Sequence, residues 1–506
     1  MGRTHVDAEY TVTTAAGRVR GTASPRSESG GVAVYRGVPY AAAPFGEHRF
    51  AAPAPAAPWD GVRDCTSFGP PPPQGNQLLG AAPWTPGTSL DCLSLNVWTA
   101  AREGDRAPVL VWIHGGAYIV GAASEITYDG TRLAESGLVV VGINYRLGFE
   151  GFGHVPGRPD NRGLLDQAAA LRWVRENVSA FGGDPDNVTV AGESAGAGSV
   201  ACLMASPRSR GLFRRAIAHS VPGDMLTADT ARLVSERIAA AAGVPLEAEA
   251  LAALVPEKLL EATDAVLDSA PSGGSGGVRT KPFTCFAPVV GGPDLPEAPL
   301  EAVARGAASG VDLLVGHNAH EYRLFTELGQ SVEIDDESAL AVTASRLGLG
   351  EGAVAAYRSV HPGATLRELF AAIQGDALFC EYTVRFAEAH AAAGGRAHFF
   401  RLAAESPAME GRLGACHAFD LPFAFGNLDT DFGRFLLGGE PSEAHRALSG
   451  RMVAAWRDFA ATGDPGWPAV TAGATAVKVW DADDLLHASD SSPVRGLWAG
   501  VALAPR

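Results

Sequence analysis

The sequence predicts an α/β fold, a large and mostly parallel central sheet covered by helices on both faces. Three observations predict it. From about residue 108 onward, continuous apolar runs recur, among them Pro108-Val-Leu-Val-Trp-Ile113 and Leu138-Val-Val-Val-Gly-Ile143. Strands buried on both faces read this way, without polar alternation. Between such runs lie apolar residues at helical spacing, such as Leu164, Leu165, Ala168, Leu171, Trp173, Val174 and Val178. The two patterns alternate along the chain, and that alternation builds a parallel sheet flanked by helices.

The elements follow in order. Short alternating runs at residues 10–14 and 32–35, broken by Gly and Pro, predict a small N-terminal antiparallel sheet. The proline-rich stretches 53–58 and 70–73 are extended loops. Strands are then expected at 108–113 and 138–143, a helix over 160–177, a strand at 187–191 and a helix of small residues over 195–205. Residues 227–267, rich in Ala, Leu and Glu, predict further helices. The run Ser272-Gly-Gly-Ser-Gly-Gly277 predicts a flexible surface loop. Strands are expected again at 311–316 and 397–402. No internal repeat and no compositional boundary interrupts the chain, so residues 1–506 are expected to form one domain with helical insertions.

Composition narrows the function. The 506 residues are 46% hydrophobic, enough for a large core. With 40 basic against 56 acidic residues the net charge is −16, which argues against nucleic acid as a partner, since phosphates call for clustered cations. Residues 1–12 lack the apolar stretch of about 7–15 residues that an export signal carries. No run approaches the ~18 apolar residues of a membrane span. A cytoplasmic protein without a membrane anchor is therefore expected. The six cysteines (65, 92, 202, 285, 380 and 416) have no metal-binding or redox spacing, so reduced thiols and no zinc site are expected. The sequence does not set the number of subunits.

In parallel sheets the chemistry gathers where strands end at their carboxyl side. Gly192-Glu-Ser194-Ala-Gly196 is a Gly-x-Ser-x-Gly elbow between an expected strand and an expected helix. The turn is tight enough that the residues flanking Ser194 must lack bulk. In a chain with 61 glycines the motif alone is weak, and Gly273-Gly-Ser275-Gly-Gly277 also fits it. That second match has neither strand before it nor helix after it, so context selects Ser194. His114-Gly-Gly-Ala117 follows the strand ending at Ile113. Gly115 and Gly116, with the N–H of Ala195, could face the oxyanion that acyl transfer creates. On its own, this segment reads as an ordinary glycine turn.

An acid and a base are expected from two later segments, Gly316-His-Asn-Ala-His-Glu321 and Gly414-Ala-Cys-His417-Ala-Phe-Asp420. Of the 13 histidines, His5, His48 and His154 precede the nucleophile, against the serine, acid, histidine order. His390 falls in a helical run and His398 in a strand. His445 and His487, in polar and irregular surroundings, remain open by order. His417, in a glycine-rich loop after a strand, fits best.

Further segments run almost end to end. They include Tyr35-Arg-Gly-Val-Pro-Tyr40, Asp91-Cys-Leu-Ser-Leu-Asn-Val-Trp98, Asn144-Tyr-Arg146, Gly163-Leu-Leu-Asp-Gln167, Phe181-Gly-Gly-Asp-Pro185 and Asp420-Leu-Pro-Phe-Ala-Phe425. With the elbow they resemble the type-B carboxylesterases, a family that includes para-nitrobenzyl esterases and cholinesterases. The resemblance implies an α/β-hydrolase fold and a serine ester hydrolase acting on a small-molecule ester without a cofactor. It implies Ser194 as nucleophile, Glu321 as acid, His417 as base, and an oxyanion hole at Gly115, Gly116 and Ala195. It also implies a structural Arg146–Asp166 pair. Specialised hydrolysis of a carbamate, thioester or natural-product ester stands beside this reading. So does a non-catalytic adhesion role, which the joint presence of Ser194, Glu321 and His417 opposes.

The sequence departs from the family pattern at several places. Pro72 stands where the family carries the cysteine that pairs with position 92, so no Cys65–Cys92 bridge is expected. Leu90 replaces an acidic residue, which predicts loss of a buried partner for Arg49. His320 stands where an Asp is common. Trp84-Thr-Pro86 resembles the choline-binding aromatic segment, although a pocket wall or surface position is its simpler reading. Five phenylalanines (149, 152, 325, 423 and 425) are expected to line an apolar pocket, and Arg323 is the basic residue nearest the acid.

Overall fold

The computed structural model describes residues 10–75, 84–269, 278–279, 284–328, 333–471, 473–487, 493–503 and 505. Among them, eleven strands form one sheet. Its centre runs parallel, in the spatial order Val477–Trp480, Ala397–Leu402, Asp312–Asn318, Arg215–His219, Gly183–Glu193, Ala107–Ile113 and Val139–Ile143. Antiparallel strands Ser94–Thr99, Ala33–Pro39 and Thr22–Ala23 extend one edge, and Leu485–His487 closes the other.

The strand Ala107–Ile113 illustrates why the runs are continuously apolar. Val109, Val111 and Ile113 join one core with Ala168, Leu171 and Val200. The intervening Leu110 and Trp112 join the opposite core with Leu133, Phe423, Trp456 and Phe459. Helices Arg162–Asn177 and Ala195–Ala205 thus cover one face, while Leu421–Phe425 and Glu443–Thr462 cover the other. Alternating side chains point to opposite faces, and here both faces are dry. A third cluster, around Tyr357, Phe370 and Trp498, unites helices Glu337–Arg346, Ala353–Val360 and Leu366–Gly375 beside the segment that follows Glu321.

Two expectations about strands change. The runs near residues 12 and 34 do not share a sheet. Thr11–Thr14 pairs antiparallel with Gly17–Arg20, which pairs parallel with Val62–Asp64, so the small sheet is mixed, whereas Ala33–Pro39 belongs to the large one. The strand Arg215–His219, in the middle of the sheet, was not expected, because its ends are polar. Those ends are satisfied by distant residues. Arg215 hydrogen-bonds the Ala460 carbonyl and the Asn187 side chain, and His219 meets Asp420. The helical reading of 227–267 resolves into Ala228–Ala241, Ala248–Ala252 and Pro256–Ser269. The loop at 272–277 lies outside the described residues. Among those described, no helix is long and apolar enough to cross a membrane.

Candidate active site

The strand Gly183–Glu193 runs directly into the helix Ala195–Ala205, and Ser194 alone makes the turn, with φ 56° and ψ −126°. A side chain held at positive φ costs on the order of 1–3 kcal/mol and persists only where its surroundings enforce it. Here they do: the Ser194 N–H donates to the His219 carbonyl (2.9 Å) and its carbonyl accepts from Gly198 (2.8 Å). The flanking glycines are required by space. A Cβ at Gly196 would overlap the Ile113 carbonyl oxygen, and one at Gly192 would lie 2.5 Å from the Gly196 carbonyl carbon. Gly192, Glu193, Ala195 and Gly196 are buried, and Ser194 is partly exposed between them.

Glu321 and His417 meet above this turn. Glu321, 1% exposed, accepts from the Asn318 N–H and the Ser220 hydroxyl on Oε1, each at 2.6 Å. Its Oε2 lies 2.5 Å from His417 Nδ1, and the His417 N–H donates to the Glu321 carbonyl at 3.2 Å. The rings of Phe379 and Phe325 pack against the imidazole, with centroids 4.4 and 5.1 Å away. Phe379 comes from a π-helical turn, Asp376–Cys380. That turn is tied down by the Tyr357 hydroxyl on Asp376 (2.5 Å) and by Gly223 N–H on the Leu378 carbonyl (3.0 Å). Such turns often carry functional residues, because the extra residue displaces a side chain from helical register.

Glu193 was not foreseen as a site residue. Its Oε1 stands 3.0 Å from His417 Nε2. Burial alone would lower the His417 pKa, but the Glu193 and Glu321 carboxylates outweigh it and raise the ring to about 9. Burial raises Glu193 in turn to about 8, with His417 opposing and Asp420 and Glu321 adding to the rise. Ser220 and His219 were missed for a simpler reason. His219 ends, and Ser220 follows, a central strand that the sequence did not reveal.

The segment after Ile113 crosses Ser194 closely. A Cβ at Gly115 would lie 3.1 Å from Ser194 Cβ and 2.9 Å from the Glu193 carbonyl oxygen. Gly116, Ala117 and Tyr118 all have positive φ (108°, 53° and 63°). Four contacts hold this unusual path. Tyr145 donates to the His114 carbonyl (2.8 Å) and stacks on its ring, and Gln74 exchanges two hydrogen bonds with the Gly121 backbone. Burial lowers His114 to about 4, so its ring beside the Gly115 carbonyl is neutral at pH 7.

Other expected residues fall into place or move. Arg146 and Asp166 form a buried bidentate pair, at 2.8 and 2.7 Å. Arg49 keeps a buried partner despite Leu90, because Glu150 supplies it (2.5 Å). His320 acquires a role: its Nδ1 accepts from Ala415 N–H (3.1 Å) while its own N–H donates to the Ala415 carbonyl (2.8 Å). Burial, with Arg323 and other cations nearby, lowers its pKa to about 4, which keeps Nδ1 free to accept. Trp84 is buried, at 7% exposure. Of the five phenylalanines, Phe423 and Phe425 belong to the core over Trp112 and Trp456, and Phe149 and Phe152 pack on Phe50 and Tyr118. Only Phe325 lies against the imidazole. His445 caps the helix Glu443–Thr462, accepting from Ser442 N–H at 3.2 Å, and His487 lies in the exposed edge strand, so neither sits in irregular chain. Ser275 lies outside the described residues. All six cysteines are free. Among the described residues no group of His, Cys, Asp and Glu is arranged to hold a metal.

The model of the carboxylesterase family matches residues 8–482. The chain belongs to the carboxylesterase family. This carboxylesterase is 38% identical to the para-nitrobenzyl esterase of Bacillus subtilis over 475 residues, 90% of its own length and 92% of the relative's. It is 35% identical to a phenmedipham hydrolase of Pseudarthrobacter oxydans, over 89% of its length and 91% of the relative's. The structure of the Geobacillus stearothermophilus carboxylesterase EST55 superposes with a TM-score of 0.82 at 38% identity, covering 97% of this chain and all of that one. The carboxylesterase accordingly has the α/β-hydrolase fold and is a serine hydrolase of carboxylic esters.

Proposed function

We propose that the carboxylesterase hydrolyses largely neutral esters of short to medium acyl chain through an acyl-enzyme on Ser194. The observation that carries this reading is the Nδ1–Oε2 contact of 2.5 Å between His417 and Glu321, above a serine held at the elbow. His417 Nε2 takes the Ser194 proton as Oγ attacks the ester carbonyl, then returns it to the departing alkoxide. Glu321 holds the Nδ1 tautomer and stabilises the imidazolium. The N–H groups of Gly115, Gly116 and Ala195 receive the oxyanion. Water, activated by the same imidazole, releases the acid and restores the serine. The apolar surfaces of Phe325 and Phe379 at the base support a neutral acyl group, since an unpaired carboxylate buried there would cost several kcal/mol. The free thiols support a reducing, cytoplasmic setting, and residues 1–506 are read as one domain.

The test is Ser194→Ala together with a fluorophosphonate probe. Turnover should fall by on the order of 10⁶ with the thermal midpoint retained, and mass spectrometry should place the probe on Ser194. Labelling elsewhere, with Ser194→Ala still active, overturns the assignment. Ser275→Ala should leave turnover unchanged.

A further inference from the structure

A second histidine–carboxylate pair lies behind the first. His219 Nδ1 is hydrogen-bonded to Asp420 Oδ2, and both residues are fully buried. Further hydrogen bonds of this pair lead to the candidate site. The His219 carbonyl accepts from Ser194 N–H at 2.9 Å. Asp420 Oδ1 accepts from Asn318 Nδ2 at 3.1 Å, and the same amide nitrogen donates to the Cys416 carbonyl at 2.9 Å, one residue before the base. The Asn318 backbone N–H donates to Glu321 Oε1, which also takes the hydroxyl of Ser220, the neighbour of His219.

We propose that His219 is a positioning residue of the catalytic apparatus: by holding Asp420 ionised and in place, it fixes Asn318, and with it the acid Glu321 and the loop that carries His417. The inference rests on the assignment of Glu321 and His417 given above. Three features favour it over a purely structural role. The strand ending in His219 lies between the strand that leads into Ser194 and the one that ends at Asn318, so the network spans all three groups. The other side of the imidazole is aromatic, with Phe400 at 4.6 Å and Trp456 at 5.0 Å, and among the described residues His219 Nε2 has no hydrogen-bond partner. The ring is therefore placed for what Nδ1 does. Burial alone would raise Asp420, yet His219 and the hydrogen bonds from His219 and Asn318 hold it below the usual carboxylate range. His417 in turn feels Glu193, Glu321 and Asp420, while the thiols of Cys416 and Cys380, near Glu321, are pushed up by burial.

The experiment compares His219→Leu, His219→Gln and Asp420→Asn with the unaltered full chain. Without His219 the buried carboxylate of Asp420 takes up a proton. Both His219→Leu and Asp420→Asn should then lower kcat by about tenfold or more with KM within twofold, and shift the His417 titration to lower pH. His219→Gln, which keeps an N–H donor toward Asp420, should recover most of kcat. The titration is followed by NMR of ring-labelled histidines, assigned with His417→Gln, so it reads the coupling without any turnover. If Ser194 proved not to be the nucleophile, the titration would still report whether His219 and Asp420 act on His417. Folded variants with unchanged kcat and an unchanged His417 titration overturn the proposal. Should His219→Leu not fold, Asp420→Asn and His219→Gln give the same two readouts.

Discussion

At the scale of single residues, Glu193 acts on the charge of His417, the proposed base. A general base must be neutral, and His417 is raised to about 9 by carboxylates on both sides, so the acid limb of kcat/KM should lie on the alkaline side of neutrality. Glu193→Gln removes one of those charges, so that limb should move to lower pH, as a kcat/KM profile from pH 5 to 10 would record. An unmoved limb would mean that Glu193 does not act on the base. The same shift bears on stability. A histidine raised above its ordinary 6.5 contributes stability that is fully present below that value and is lost as the pH climbs through about 9. Glu193 occupies one of the free positions of the elbow motif, so the pattern gives it no signal. Its role came from the fold, which brings a loop more than two hundred residues later onto its carboxylate.

At the scale of elements, the elbow is a junction whose dimensions are set by backbone. Gly196→Ala would press a methyl group into the Ile113 carbonyl of the neighbouring strand. Such overpacking costs about 1–3 kcal/mol and here would displace the turn that presents Ser194. We expect both a lower thermal midpoint and a loss of kcat, measured by calorimetry and ester turnover; an unaffected variant would mean that the junction relaxes freely. The strand at 107–113 was legible because burial on both faces leaves an unbroken apolar run from Val109 to Ile113. The strand Arg215–His219 was not, since each polar end is matched by a residue far away in sequence. Motif and order single out Ser194, Glu321 and His417 as candidates, whereas the placing of Ser220, His219 and Phe379 depends on which strand lies beside which.

At the scale of the whole molecule, stability comes from the sheet and its two cores, with all cysteines free. Dithiothreitol should therefore leave both thermal midpoint and turnover unchanged, and a Cys65–Cys92 crosslink found by mass spectrometry would contradict this. Substrate range can be followed with p-nitrophenyl esters from acetate to decanoate. Each added methylene should contribute up to about 0.8 kcal/mol to kcat/KM until the pocket ends. A monosuccinate ester should react more slowly than a neutral ester of equal length. A faster rate would mean that a cation such as Arg323 lines the pocket.

The spatial order of the central strands has a consequence for how such a protein can change. The proposed nucleophile, acid and base follow strands ending at Glu193, Asn318 and Leu402, with the strand ending at His219 between the first two, all in parallel register. The chain between residues 219 and 312, and again between 318 and 397, leaves the sheet and returns to it. The second excursion supplies Phe325 and Phe379, the apolar cover of His417. Beyond Glu321, at its start, that excursion is separable from the stretches that carry Ser194 and His417. Exchanging an excursion between relatives would transplant selectivity as a cassette, provided that the strand ends and the contacts at Gly223 and Asp376 are kept.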